Sequence, residues 1–177
     1  MGAVTPGQLF TAWDKKKLER TVVGASIAFP GKRVDALLHT SGVVRSLVFA
    51  EFKTHRTALL GKEYRSGCFA PSDELAGGVS QVQGTVHLAA TTISDQLAEI
   101  DLDGAEIPGR FTYLIRPRSF LVIGHLGKLK GEAGGDHAAK IRSFEPYRRH
   151  LDAPEIVTFD ELLARAEWAI QMGTAVE

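Results

Sequence analysis

The chain has 177 residues with 21 Lys plus Arg against 21 Asp plus Glu, so it can bury a core unaided and shows no bulk basic charge advertising nucleic acid. A single cysteine, Cys68, excludes a disulfide framework and a multi-cysteine zinc site and suits a reducing cytosol. No apolar run reaches membrane-spanning length and MGAVTPGQLF lacks the order of a secretion signal, so a soluble, cytoplasmic protein without a membrane partner is expected.

Gln8 to Arg20 sets Leu9, Phe10, Trp13 and Leu18 against a Lys15-Lys16-Lys17 face, which predicts an amphipathic helix over about 8–20. The period then changes. Val22 to Phe29, Arg33 to Leu38 and Val43 to Phe52 are β-rich runs separated by Pro30-Gly31 and Ser41-Gly42, and they predict three consecutive antiparallel strands. Glu63 to Pro71 reads as a loop. Ser72-Asp73-Glu74 supplies a cap and first-turn acids for a helix through Leu75, Val79, Val82 and Val86 towards Leu97. Gly77-Gly78 costs that helix about 1 kcal/mol per glycine, and close approach of a neighbour is the expected reason for glycine there.

Asp101 to Gly109 is turn-rich, and Phe120 to Gly124 is a compact apolar strand. The glycine-rich loop Gly131 to Gly135 precedes a helix from about Asp136 to His150. Ile156-Val157 predicts a short strand, and Thr158-Phe159-Asp160-Glu161 fits a capping box opening a helix with Leu162, Leu163, Ala166 and Ile170 on its inner side. The expected organisation is one α/β domain over 1–177: an N-terminal helix about 8–20, a site-bearing core about 21–125, and a C-terminal helical and strand part about 136–172.

The run from Val44 ends in Glu51, Phe52 and Lys53. Strand residues two apart share a face, so Glu51 and Lys53 project together while Phe52 turns away. Asp35 opens the preceding run. If the two runs pair as a hairpin through Thr40-Ser41-Gly42, two carboxylates and one ammonium converge, and a divalent-metal site with a lysine beside it becomes plausible. An acid two before a lysine is a weak motif, since about one such triplet is expected by chance. A second one, Asp14-x-Lys16, falls in the first helix, where residues two apart do not share a face. The ordinary reading of Glu51 and Lys53 is a salt bridge on an edge strand, with Asp35 merely ending a turn.

Helix, three-stranded meander, helix and strand, with Asp on the second strand and Glu-x-Lys on the third, resembles the PD-(D/E)xK restriction-endonuclease-like fold. More specifically, the chain resembles the nuclease domain of the Shedu family of bacterial anti-phage defence proteins. The resemblance rests on Arg33-Val34-Asp35, Phe49-Ala50-Glu51-Phe52-Lys53, the helix segment Leu75 to Val82, the strand Phe120 to Gly124, Lys140 to Glu145 with Tyr147-Arg148-Arg149, and Thr158 to Leu163 with Arg165-Ala166. It covers roughly residues 20 to 170. Val34 replaces the proline of the superfamily name, and Gly84 to His87 stand where a tyrosine is expected a few residues after Gln81.

The resemblance implies a restriction-endonuclease-like core with a mixed central sheet flanked by helices, and a metal-dependent DNA endonuclease. Asp35, Glu51 and the carbonyl of Phe52 would hold Mg²⁺, with Mn²⁺ as the alternative. Lys53 would orient or deprotonate the attacking water and offset charge in the transition state. Gln81 would reach that water or a phosphate from the next helix, against the equal expectation that it faces solvent. Phage DNA is the implied substrate, and a homo-oligomer, in tetramer form, the implied assembly. Two other functions remain open: a non-catalytic or regulatory nucleic-acid-binding module on the same fold, and a nuclease of repair or restriction.

Other candidates carry less. Gln83 neighbours Gln81, Glu19 could add a carboxylate, and His55 could touch DNA, but surface roles are the commoner expectation for all three. The six histidines show no metal-ligand spacing, and no phosphate-binding P-loop is present. Arg116 and Arg118 flank Pro117, and Arg142, Arg148, Arg149 and His150 cluster near one helix end; these could meet phosphates, although a solvated face is the usual reading.

Overall fold

The computed structural model describes residues 35–40, 44–93, 95–103 and 105–174. The expected helix over 8–20, Glu19 and the expected strand over 22–29 lie outside the described residues. The chain divides into two compact units, one of Met1–Ala50 with Val82–Ser119 and one of Glu51–Gln81 with Phe120–Glu177. The fold is α/β with a mixed sheet and helices, compatible with the expected restriction-endonuclease-like core. Strands β1 (Ala36–His39), β2 (Arg45–Phe52), β5 (Gln96–Ile100), β6 (Glu106–Val122) and β7 (Glu155–Val157) make a sheet of order β1-β2-β6-β5, with β7 added to β6. β3 (Leu60–Arg65) and β4 (Cys68–Pro71) form a separate ribbon.

In the first unit, β1 and β2 are antiparallel with Ala36 opposite Ala50 and His39 opposite Leu47. Thr40 closes this pairing, its N–H donating to Ser46 O and its Oγ1 accepting from Ser46 N, each at 3.0 Å. The hairpin expected from Thr40-Ser41-Gly42 is therefore present, although the strands are shorter than expected and Asp35 lies one residue before β1. β2 is buried on both faces from Leu47 to Glu51, and on one of them Leu37, Leu47 and Phe49 meet Ala89 of helix α1 (Asp73–Ile93) and Leu114 of β6 in one apolar cluster. β5 pairs antiparallel with β6, Gln96 opposite Tyr113. Helix α1 stops at Ile93, short of the expected Leu97, which lies in β5. The turn-rich stretch Asp101 to Gly109 contains the start of β6, which runs unbroken past Pro108 and Pro117 to Val122.

In the second unit, Leu59, Leu75, Val79, Leu121, Ile123, Leu129, Phe144 and Ile156 form the core. Gly78 explains the glycine pair, because a Cβ there would stand 3.0 Å from both terminal methyls of the buried Leu121, whereas one at Gly77 would meet nothing within 4 Å. Glu63 to Pro71, expected as a loop, is instead the β3–β4 ribbon, whose exposed charged side chains hide the strand period. Ser143 Oγ on helix α2 (Ala138–Arg149) accepts from Phe69 N at 3.0 Å and ties that ribbon down. β7 runs parallel to β6, Phe120 opposite Glu155 and Val122 opposite Val157.

Helix α3 (Phe159–Thr174) opens with the expected capping box, Thr158 Oγ1 and N both donating to Glu161 Oε2 at 2.9 and 3.1 Å. Its inner side is not as expected. Leu162, Leu163 and Ile170 are 38%, 60% and 67% exposed and Ala166 is exposed, because no described segment of the second unit covers that helix face. Among the described residues, no helix is long and apolar enough to cross a membrane.

Candidate active site

The last turn of β2 and its continuation set the site. β2 is an interior strand, with β1 on one side and β6 on the other, so the edge-strand reading of Glu51 and Lys53 does not hold. Lys53 N donates to Val122 O at 2.8 Å, which fixes the backbone of the Glu51-Phe52-Lys53 segment to β6. Strand alternation then sends Glu51 and Lys53 to one face as expected, and Lys53 Nζ lies 3.2 Å from Glu51 Oε1. Glu51 is only 5% exposed. A carboxylate so far removed from water needs a charged partner, and the half-buried ammonium of Lys53 supplies it.

Helix α1 brings the third member. Ser72 caps it, its Oγ accepting from Leu75 N at 3.1 Å, and the close approach at Gly78 sets the helix against Leu121. Three residues further on, Gln81 Oε1 accepts from Lys53 Nζ at 3.2 Å. The solvent-facing alternative for Gln81 is thereby excluded, while Gln83 is exposed. Two of the three ammonium donors of Lys53 are thus directed by an acid from its own strand and an amide from the helix. The lysine is held by position rather than left to swing on its stem.

The segment after Lys53 is anchored at Gly124. Its φ is +57°, and a Cβ there would stand 2.7 Å from Thr57 O, so only glycine fits. Gly124 N donates to Thr54 O at 3.1 Å and its carbonyl accepts from Phe159 N at 3.0 Å, joining the residue after Lys53 to the start of α3. His55 is exposed and sets its ring edge-to-face on Phe159, centroids 6.3 Å apart.

An ion-pair network holds α3 to α2. Arg148 donates both terminal nitrogens to Glu161 at 2.7 and 2.8 Å and also meets Glu145 at 2.7 Å, while Arg149 Nε meets Glu145 at 2.8 Å. Burial pushes the Glu161 carboxyl up, yet the hydrogen bonds from Arg148 and Thr158 and the Arg148 charge outweigh it and hold Glu161 at about 2. Arg148 is correspondingly raised, and Glu145 is lowered despite its own burial. Of the arginine cluster read as a possible phosphate surface, Arg148 is therefore spent on structure, while Arg149 stays largely exposed and meets Glu145 through Nε.

Asp35 belongs to the first unit and is exposed. It precedes Ala36, whose partner across β1 and β2 is Ala50. Among the described residues, no group of three or more His, Cys, Asp or Glu side chains is placed to hold a metal ion. The Gln81 contact is the feature that sequence alone left even, since helix phase does not say which glutamine faces a strand end.

A family model described as Shedu protein SduA, C-terminal, matches residues 8–163 of the chain. Shedu protein SduA of Bacillus cereus (strain B4264) is 29% identical over 144 residues, which cover 80% of this chain and 35% of that protein. The chain thus spans about a third of the length of this curated relative. With the family model covering most of its length and the Glu-x-Lys strand end seated against the helix glutamine, the chain belongs to the Shedu family.

Proposed function

We propose that this chain is a metal-dependent DNA endonuclease domain acting in bacterial anti-phage defence, and that it works as a homo-oligomer. The observation that carries the reading is the Lys53 ammonium held between buried Glu51 and Gln81, at 3.2 Å from each, on a chain of the Shedu family. Glu51 and Asp35, with the carbonyl of Phe52, would hold Mg²⁺, or Mn²⁺ in its place. The donor chemistry fits: all are hard oxygens, and a set with only two carboxylates leaves positions for phosphate and water. When bound, the ion would offset charge on the scissile phosphate and acidify a water.

The chain's own groups do the rest. Glu51 holds the Lys53 side chain close; Gln81 fixes its direction; the remaining donor of Lys53 meets the attacking water or a phosphate oxygen and offsets charge as the bond breaks. Preorganisation of this kind costs nothing at the moment of reaction.

The metal part of the reading is tested by titrating Mg²⁺ against cleavage of linear DNA. Cleavage should vanish on chelation and return with Mg²⁺ or Mn²⁺, and Asp35→Asn should raise the Mg²⁺ concentration needed for half-activity. Cleavage indifferent to chelator would contradict it.

A further inference from the structure

β6 runs continuously from Glu106 to Val122, but its alternation of buried and exposed residues breaks once. Its pairing with β5 reaches Tyr113, and Leu114 N donates to Asp95 O at 2.9 Å. Thr112 and Leu114 are buried on one face, and in a regular strand Arg116 and Arg118 would follow them inward. They do not. Ile115 is 62% exposed, and Arg116 and Arg118 are exposed as well. The break is at Arg116, whose φ of 46° makes it the single non-glycine residue in the left-handed region among the described residues. Left-handed backbone is unfavourable for an L residue, and a residue before proline is steered towards extended backbone. Glycine would take this conformation without strain. An arginine kept where glycine fits better points to a use for its side chain.

We propose that the Ile115 to Arg118 kink is a DNA contact, the Arg116 guanidinium binding a backbone phosphate and Ile115 lying against sugar or base edges. The proposal rests on the DNA reading above and adds to it a binding surface in the first unit. Guanidinium forks match phosphate oxygens, and an apolar wedge beside arginines is a recurrent way of gripping a duplex. The chain has no net charge, so phosphate binding must come from local clusters. Arg148 is committed to Glu145 and Glu161, whereas no hydrogen bond or ion pair to a described residue engages the Arg116 side chain.

The test measures binding of the full chain to a short duplex in chelator, as a function of salt, beside thermal melting. Arg116→Gly and Arg116→Gln should each weaken binding roughly five- to tenfold near physiological salt and lower the slope of log affinity against log salt by about one. Arg116→Gly should also raise the melting temperature, because it relieves the strained backbone while removing the contact. Weaker binding together with a lower melting temperature in Arg116→Gly would show the arginine to be structural and overturn the proposal. Unchanged affinity and slope in both Arg116 variants, with the unsubstituted chain binding DNA, would overturn this proposal alone, as a protein-contact role would. Absence of binding by the unsubstituted chain would overturn it together with the DNA reading.

Discussion

At Glu51 the chain buries a carboxylate that the fold alone does not require. An apolar residue of similar volume would be less costly in the core; in the proposed centre the acid positions Lys53 and offers an oxygen to the metal. Gln81 is the complementary device, and Gln81→Ala should reduce cleavage about tenfold without moving the melting temperature by more than a few degrees, read by initial rates and a melt on the same sample. Loss of folding in Gln81→Ala would show the amide to be a strut instead. Glu161 is a structural carboxylate with a clear pH signature. Its folded value of about 2 lies below the ordinary carboxyl value of 4.5, so its contribution is complete above pH 4.5 and lost as pH falls through about 2. The melting-temperature gap between the unsubstituted chain and Glu161→Gln should be widest above pH 4.5 and close towards pH 2. A gap independent of pH over that window would contradict the assignment.

Among the elements, helix α1 separates two glycines that look alike in sequence. Gly77 is exposed with open space at its Cβ position, so Gly77→Ala should stabilise by about 0.5–1 kcal/mol through helix propensity. Gly78→Ala should forgo that gain or destabilise, because its methyl would press on Leu121 at 3.0 Å. Denaturant melts of the two variants decide the point, and equal stabilisation in both would contradict the packing. Sequence made close approach expected for the pair but could not say which glycine, since that depends on helix phase against a distant strand. The hairpin of β1 and β2 was legible because two continuous apolar, β-rich runs flank a Thr-Ser-Gly break. β3 and β4 were not, because a small exposed ribbon of Lys62, Glu63, Tyr64 and Arg65 has no buried face to impose a period. β5 and the start of β6 were hidden for a related reason: glycine and two prolines in and around them imitate loop signals, and neighbouring strands override local preference. Glu51 and Lys53 were legible as a same-face pair from the period of two, while Gln81 needed the helix to be placed.

For the whole molecule, the exposed apolar side chains of α3 are the feature that bears on assembly. Leu163 and Ile170 are 60% and 67% exposed, Trp168 and Met172 nearly half, and the proposed homo-oligomer would cover such a face. Leu163→Lys with Ile170→Lys should then lower the molar mass measured by light scattering while leaving the chain folded, and an unchanged mass would remove α3 from the interface. The proposed chemistry places a DNA-cleaving centre at the strand end of β2 and Gln81. The most direct measurement is conversion of supercoiled DNA to nicked and linear forms in Mg²⁺ by the unsubstituted chain and by Lys53→Met, which keeps most of the side chain's bulk, with a melt to show that both are folded. Cutting by the unsubstituted chain and a loss of at least about a hundredfold in the variant are expected. Equal cutting by a folded Lys53→Met, or no cutting by either, would contradict the proposed chemistry.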